Sequence, residues 1–524
     1  MPRNSDTKYF EDSFKLPNPG LRSYFGNVVK GQPEVYDTPF AKGESTEHML
    51  GAWIAVLKSI QTEWPSLYDY EMDLASKVGP MSVMKPLSER MEDIDHYYDG
   101  ILLPSTALSD KSLKAVISEM SQVRGLRVRS QADTIRLMKK STNSGAPYFT
   151  KRRDVTGKTA PVYINFWEND PTKPELYTSL DNGHSSYMSG AILGWRGQEG
   201  GIKAADVKQR VVWMFPYAVN IAELTVYQPF IEAVQKFNVV PSWVGMEAVD
   251  KHITSMFDTK GVDDLIVCTD FSKFDQHFNR ELQNAAKTIL TAILRDDYNS
   301  IEWLNKVFPV KYMIPLFYDW NKVRFGLHGM GSGSGGTNAD ETLAHRALQY
   351  EAAQNVGARL NPYSQCLGDD GVLTYPGITV EDVVASYTKH GLEMNPDKQY
   401  ASTQDCIYLR RWHHNKYRDG GVCVGVYSTC RALGRLRYLE RFQDPRFWDA
   451  KAVALRQLSI LENVKYHPLK EQFIDFCMKR DKYRLGVDIP HFLSDITRIA
   501  EEKAAVMPDL LGYTKTLQGE SVSY

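Results

Sequence analysis

Asp369 and Asp370 stand side by side within Gln365-Cys366-Leu367-Gly368-Asp369-Asp370-Gly371-Val372-Leu373. Two carboxylates about 4 Å apart repel by roughly 4 kcal/mol at an effective dielectric of about 20, so such a pair needs water or a cation. On these residues alone a solvated Asp-Asp-Gly turn and a cation site are both open. Asp270 ends the apolar run Leu265-Ile266-Val267-Cys268-Thr269. A strand end of that kind presents a reactive carboxylate or one bonded to loop amides. Asp275 follows shortly after and also suits the cap of a helix starting at Arg280. Lys208 and Arg210 alternate ahead of Val211-Val212-Trp213. On a strand they share a face that either grips a triphosphate or is simply solvated. Lys398 follows a turn, where a lysine is ordinarily solvated.

Local pattern indicates the elements that must position these groups. The Asp369-Asp370 stretch reads as a tight hairpin with the acid pair at its tip, and Leu265–Thr269 reads as a buried strand. Gly329-Met330-Gly331-Ser332-Gly333-Ser334-Gly335-Gly336-Thr337-Asn338 is a mobile loop feeding a helix that ends near Gly357. Hydroxyls at a helix start suit sugar and phosphate, while Asn338 with Glu341 equally suits a variant capping box. No Walker A ending is present. Thr142-Asn143-Ser144-Gly145-Ala146-Pro147 lies between basic runs and suits a phosphate chain or an ordinary surface turn. Lys203 precedes Lys208 in a second basic stretch, and Tyr408-Leu409-Arg410-Arg411 is a strand with a basic end.

Tyr9, Phe10, Phe14, Tyr24, Phe25 and Phe40 suggest an N-terminal arm packed over another surface. Met49, Trp53, Leu57 and Ile60 recur at helical spacing and read as core. A hairpin over 412–427 reads either as a surface hairpin or as a projection whose Trp412, Tyr417 or a His stacks on nucleotides. His413 and His414 lack a nearby third ligand for a metal. Arg431, Arg435 and Arg437 open a helical region and either follow a nucleic acid or are solvated. Met507–Tyr524 reads as a tail that is disordered or folds back into a cleft.

Composition sets outer bounds. The 524 residues, 43% hydrophobic, suffice for a large core, and a net charge of −2 excludes whole-surface attraction to nucleic acid. Any such partner must meet a local basic channel. Six cysteines without a CxxC pair argue against a zinc module and a disulfide framework, and favour a reducing compartment. A polar start predicts no signal peptide. No apolar run approaches the ~20 residues that span a bilayer, so no membrane partner is expected.

In order, Thr142 to Pro147, Lys203 to Arg210, Asp270 with Asp275, Ser332-Gly333 with Thr337, Gly368-Asp369-Asp370, Lys398, and Tyr408 to Arg411 resemble motifs G, F, A, B, C, D and E of viral RNA-dependent RNA polymerases. Within that family the Gly/Ser loop, the length and the opening stretch are most similar to picobirnavirus polymerases, from small viruses with double-stranded RNA genomes. The resemblance implies an α+β fold: a closed right hand, mainly helical, around an antiparallel palm sheet. It implies an arm over 1–70 linking fingers and thumb, fingers over 71–258, palm over 259–411, and thumb with tail over 412–524.

For the chemistry, the resemblance implies two divalent ions on Asp270, Asp369 and, as an auxiliary ligand, Asp370; all-oxygen ligands suit Mg²⁺ or Mn²⁺. Lys203, Lys208 and Arg210 would meet the triphosphate, and Asp275 the ribose 2′-hydroxyl. Ser332, Gly333, Thr337 and Asn338 would adjust nucleotide and template. Lys398 would be a general acid to pyrophosphate. Ser144, Gly145, Pro147, Arg410 and Arg411 would contact RNA. One departure stands out. Many relatives carry an asparagine four residues after the threonine, where this chain has Glu341; ribose sensing therefore rests more on Asp275 and Thr337 than on Asn338. Implied partners are RNA template and product, ribonucleoside triphosphates and a capsid protein, with residence in the virion and in host cytoplasm during infection. Initiation without a primer is expected. A reverse transcriptase, a non-catalytic RNA-binding or virion protein, and another metal phosphotransferase are the competing readings.

Overall fold

Leu265–Thr269 behaves as a buried strand should: Ile266–Thr269 is strand and wholly buried. It is the centre of a four-stranded antiparallel sheet, flanked by Asp370–Leu373 on one side and Tyr400–Ser402 on the other, with Gln365–Leu367 at the edge. This computed structural model describes residues 10, 11, 13, 14, 19–167, 175–180 and 185–506. Tyr9 and the expected tail Met507–Tyr524 lie outside the described residues. About half of the chain is helical and 13% strand, which with the antiparallel sheet makes the mixed α+β class expected above.

The helix Thr337–Asn355 packs beneath the sheet beside Arg280–Ile293. Asn279, rather than Asp275, caps the latter: its side chain accepts from the amides of Glu281 (3.0 Å) and Leu282 (3.3 Å). Asp275 sits instead in a single turn, Phe274–His277. The helix Thr337–Asn355 starts with Gly336 at its cap and no side-chain cap bond, so the capping-box reading of Asn338 and Glu341 does not hold. A second sheet carries Lys208–Met214, Ala191–Gln198, Leu316–Asp319 and Lys322–Arg324 in that order. Lys208 and Arg210 share its exposed face, as the alternation predicts.

The aromatic arm packs as expected. Phe10 and Phe25 are buried against Phe317 and Trp320 of the second sheet. Further along, Thr38 donates from its amide to Arg437 (2.9 Å), and Ala41 to Arg480 (3.0 Å). Met49, Trp53 and Leu57 lie on one face of helix Thr46–Leu57, and the Trp53 indole donates to Thr429 (2.7 Å). A single hydrophobic cluster thus joins residues from Phe40 to Val78 with residues from Trp412 to Leu485.

After residue 411 the structure separates the alternatives. Trp412 and His413 are fully buried. The Trp412 indole donates to Ser66 (3.0 Å), the Tyr417 hydroxyl donates to the Tyr466 carbonyl (2.5 Å), and both rings pack on Trp64. Arg418 holds the loop to Asp258 at 2.8 Å. The hairpin is therefore held at its base while residues 418–421 are exposed, as the surface-hairpin reading has it, and Trp412 and Tyr417 are engaged in packing and do not serve as a stacking platform. Arg431 and Arg435 turn to Glu199, and Arg437 donates to the carbonyls of Phe40 and Ala41, so these three stitch elements together.

Trp53→Ala removes a fully buried indole and its bond to Thr429. It is expected to cost about 3–5 kcal/mol and to lower the thermal unfolding midpoint by several degrees. An unchanged midpoint would contradict the arm's role in joining the two halves of that cluster.

Candidate active site

The site is built by strand register. Thr269 pairs with Gly371, Cys268 with Val372 and Val267 with Leu373, so Asp270, the next residue along, falls beside the Asp369-Asp370 hairpin although 99 positions separate Asp270 from Asp369. The hairpin turns through Gly368 and Asp369, since Leu367 pairs with Asp370. Gly368 has φ +58°, a conformation that costs a non-glycine residue roughly 1–2 kcal/mol. Asp369 is therefore the tip, and Asp370 is already in the strand.

Neutral groups supply the bonds that hold these acids. The Gln399 side chain accepts from the Asp270 amide (2.7 Å) and donates to its carbonyl (2.8 Å). The Leu409 amide donates to the Asp370 carboxylate (2.8 Å). Leu409 and Arg410 form the two-residue link between Asp405–Tyr408 and Arg411–His414, both with positive φ, and side-chained residues at such positions are strained. From the helix beneath, Thr342 accepts from the Gly368 amide (3.0 Å), and His345 donates through Nδ1 to its carbonyl (2.8 Å). Burial holds the His345 imidazole down at about 4, so it is a neutral donor. Gln399, Leu409, Thr342 and His345 were not singled out in the sequence; only their contacts reveal them.

The electrostatics follow from packing like charges. Asp270 and Asp369 are water-accessible. Surrounding protein nevertheless raises the Asp369 carboxyl, and the charges of Asp275 and Asp270 raise it further against Arg210, which lowers it. Burial, then Asp369, pushes Asp370 up to about 7, opposed by the Leu409 amide and Arg410. Burial also raises Asp275, which bonds to Glu341 and feels Arg210.

Among the described residues no three His, Cys, Asp or Glu side chains converge as a ready metal cage. Asp370, expected as an auxiliary ligand, has an oxygen taken by Leu409. The donor set still suits a hard divalent ion: Mg²⁺ typically takes one or two carboxylates and fills its remaining positions with water and substrate phosphates. Asp270 and Asp369 are the pair available for it.

The remaining candidates divide. Lys203, Lys208 and Arg210 are exposed, and Arg210 is felt at Asp275 and Asp369. Lys398 is exposed on a short turn beside Gln399. The Gly/Ser loop is wedged, not loose: a Cβ on Gly333 would lie 1.8 Å from the Trp213 carbonyl oxygen. Ser332 accepts from the Trp213 amide (3.2 Å), Thr337 donates to the Gly331 carbonyl (2.9 Å), and buried Glu223 accepts from Ser334. Asn338 accepts from the Trp243 indole at 2.8 Å. Ser144, Gly145 and Pro147 are buried, and Tyr217 donates its amide to the Ser144 carbonyl (2.8 Å). Their burial leaves them little surface to offer RNA. Arg411 is a second correction: 8% exposed, it forks onto Asp250 at 2.8 and 2.9 Å. Arg410 remains half exposed near Glu199.

A family model described as viral RNA-dependent RNA polymerase matches residues 87–423. A potential RNA-dependent RNA polymerase of Human picobirnavirus (strain Human/Thailand/Hy005102/-) is 59% identical over 507 residues, 96% of this chain and 93% of that protein. The crystal structure of the RNA-dependent RNA polymerase of a human picobirnavirus superposes with a TM-score of 0.93 at 57% identity, covering 98% of this chain and 95% of that one. Its insertion-loop deletion mutant gives 0.92 at 56%, covering 98% and 99%. Likeness over nearly the whole length makes the fold the right hand expected above.

Gly333→Ala drives a methyl group into the Trp213 carbonyl and must displace the Gly/Ser loop or the strand end. We expect a stability loss of about 1–3 kcal/mol and impaired nucleotide binding, measured by thermal unfolding and nucleotide titration. Wild-type values in both would contradict the close approach.

Proposed function

The chain belongs to the viral RNA-dependent RNA polymerases, and on that premise we propose that Asp270 and Asp369 form its nucleotidyl-transfer centre, served by two divalent ions, Mg²⁺ or Mn²⁺. The observation that supports this most is the antiparallel register bringing Asp270 to the hairpin tip. When bound, such ions would activate the 3′-hydroxyl of the growing strand and stabilise the leaving pyrophosphate.

The chain's own residues supply the rest. Asp270 and Asp369 hold opposing positions on a scaffold fixed by Gln399, Thr342 and His345. Asp370, anchored by Leu409, keeps the tip in place behind them. Lys208 and Arg210, exposed on one strand face, neutralise charge on the triphosphate, with Lys203 at its approach. Asp275 accepts from the ribose 2′-hydroxyl. Thr337 and Ser332 set the loop beneath the nucleotide, and Asn338, tied to Trp243, shapes the site from behind. Lys398, exposed on its short turn, would donate a proton to departing pyrophosphate.

We assign residues 1–70 to an arm linking fingers and thumb, 71–258 to fingers, 259–411 to palm, and 412–524 to thumb and tail. The shared cluster of arm and thumb residues supports the arm's role. Initiation is proposed to need no primer, and the template and product to belong to a double-stranded RNA genome copied inside a particle, with capsid protein as partner and host cytoplasm as the place of expression. Relatedness to a potential RNA-dependent RNA polymerase of a picobirnavirus supports RNA as template and product. Among the described residues no helix is long and apolar enough to cross a membrane.

The test is labelled nucleotide incorporation on a single-stranded RNA template without primer, in Mg²⁺ or Mn²⁺. Wild type is expected to give template-length product. Asp369→Asn keeps shape and removes charge, so synthesis should fall by about three orders of magnitude with RNA binding retained; turnover near wild type would refute the metal assignment. Arg210→Ala should raise the KM for nucleotides about tenfold; lost RNA binding at normal nucleotide affinity would refute its triphosphate role.

A further inference from the structure

Glu341 lies on helix Thr337–Asn355, 4% exposed. Its Oε2 is buried with no ordinary donor to accept from; within hydrogen-bonding contact is the Asp275 carboxyl. Two carboxylates are both acceptors. With Glu341 inside the protein and Asp275 half-buried, two charges on such a pair are strongly disfavoured and one shared proton relieves the repulsion.

The groups facing the pair decide where that proton sits. Asp275, Asp369 and Asp340 all press negative charge on Glu341. Asp340 is itself tied to Lys311 (3.0 Å) and to the hydroxyls of Tyr227 and Tyr312 (both 2.6 Å). Arg210 acts on the Asp275 side, and Tyr97 and Tyr312 border the pair as neutral phenols. Burial, then the charge of Asp275, drives the Glu341 carboxyl well above its usual range. Asp275 is raised by burial but drawn back by the Glu341 bond and Arg210.

We propose that Glu341 is a positioning residue that keeps its proton and donates it to Asp275, so that the pair carries one negative charge and Asp275 turns its remaining lone pairs to the ribose hydroxyl of the incoming nucleotide. This rests on the reading of Asp275 as the ribose contact. A neutral Glu341 restrains the Asp275 side chain and spares the triphosphate a second buried charge. As pH rises through the elevated range of Glu341, the proton leaves, the bond becomes a repulsion, and preference for ribonucleotides over 2′-deoxyribonucleotides is lost.

Two readouts test this on the full chain. The first is the ratio of kcat/KM for a matched ribonucleotide and its 2′-deoxy analogue, from pH 6 to 9, for wild type, Glu341→Gln and Glu341→Ala. Gln supplies a donor at every pH, so its preference should be flat where that of wild type declines. Ala should lose about tenfold to hundredfold of the preference. The second is the infrared carbonyl band of protonated carboxyls in the nucleotide-free protein at pH 7, which should weaken in Glu341→Gln. Equal loss of preference in Gln and Ala, or an unchanged band, overturns the proposal. Failure of wild type to incorporate any nucleotide would overturn the polymerase reading instead, and the infrared band would still judge the shared proton.

Discussion

Like charges repel, and this fold gathers Asp270, Asp275, Glu341, Asp369 and Asp370 into one region. Its bonds to them come chiefly from neutral groups. Gln399 brackets the backbone of Asp270, an amide from Leu409 meets Asp370, and Thr342 with neutral His345 grips the Gly368 peptide. Met330 donates its amide to the Asp275 carbonyl (2.9 Å). Salt bridges would hold the acids equally well but would cancel the charge that a cation seeks. Neutral anchoring keeps the field intact, and Arg210 reaches it from a separate sheet.

The helix Thr337–Asn355 ties these contacts together. Its first turns present Thr337 to the Gly/Ser loop, Asn338 to Trp243, Glu341 to Asp275, and Thr342 with His345 to the hairpin. Its inner face reaches Lys311 through Asp340, an ion pair wholly inside the protein. Replacing one partner of such a pair strands the other as a buried charge, so this helix has little freedom to slide. Motion of the loop ahead of it is limited in turn by buried Glu223, which holds Ser334 and the Gly335 amide.

Strands, hairpin, long helix and amphipathic arm were legible in the sequence because each is declared by local period or by glycine placement. Asp270, Asp275 and the Asp369 hairpin were legible as an ordered series. What local pattern cannot show is which charges are spent on the fold. Arg411 looks like any basic strand end until Asp250, 161 positions away, is seen beneath it. Arg431 and Arg435 read as a nucleic-acid face yet share Glu199. Ser144 and Pro147 read as an exposed loop and prove interior. Trp412 and Tyr417 read as a stacking surface and prove to be packing for Trp64. Gln399 carries no signal at all, because an uncharged residue after a turn is unremarkable until its backbone partners are known.

The arm that crosses from the second sheet to the C-terminal helices also sets the order in which the protein is completed during its synthesis. Thr38 bonds the Leu436 carbonyl across 398 positions of chain, and Trp53 meets Thr429 across 376. At roughly 5–20 residues per second on the ribosome, those partners emerge about 20–80 s after the arm. Until then Phe40, Trp53 and Leu57 have no permanent cover, so the nascent chain carries an apolar face through most of translation. The helices Thr429–Arg437, Ala450–Glu462 and Lys470–Arg480 close it, so the cluster is complete only once synthesis has reached about Leu485.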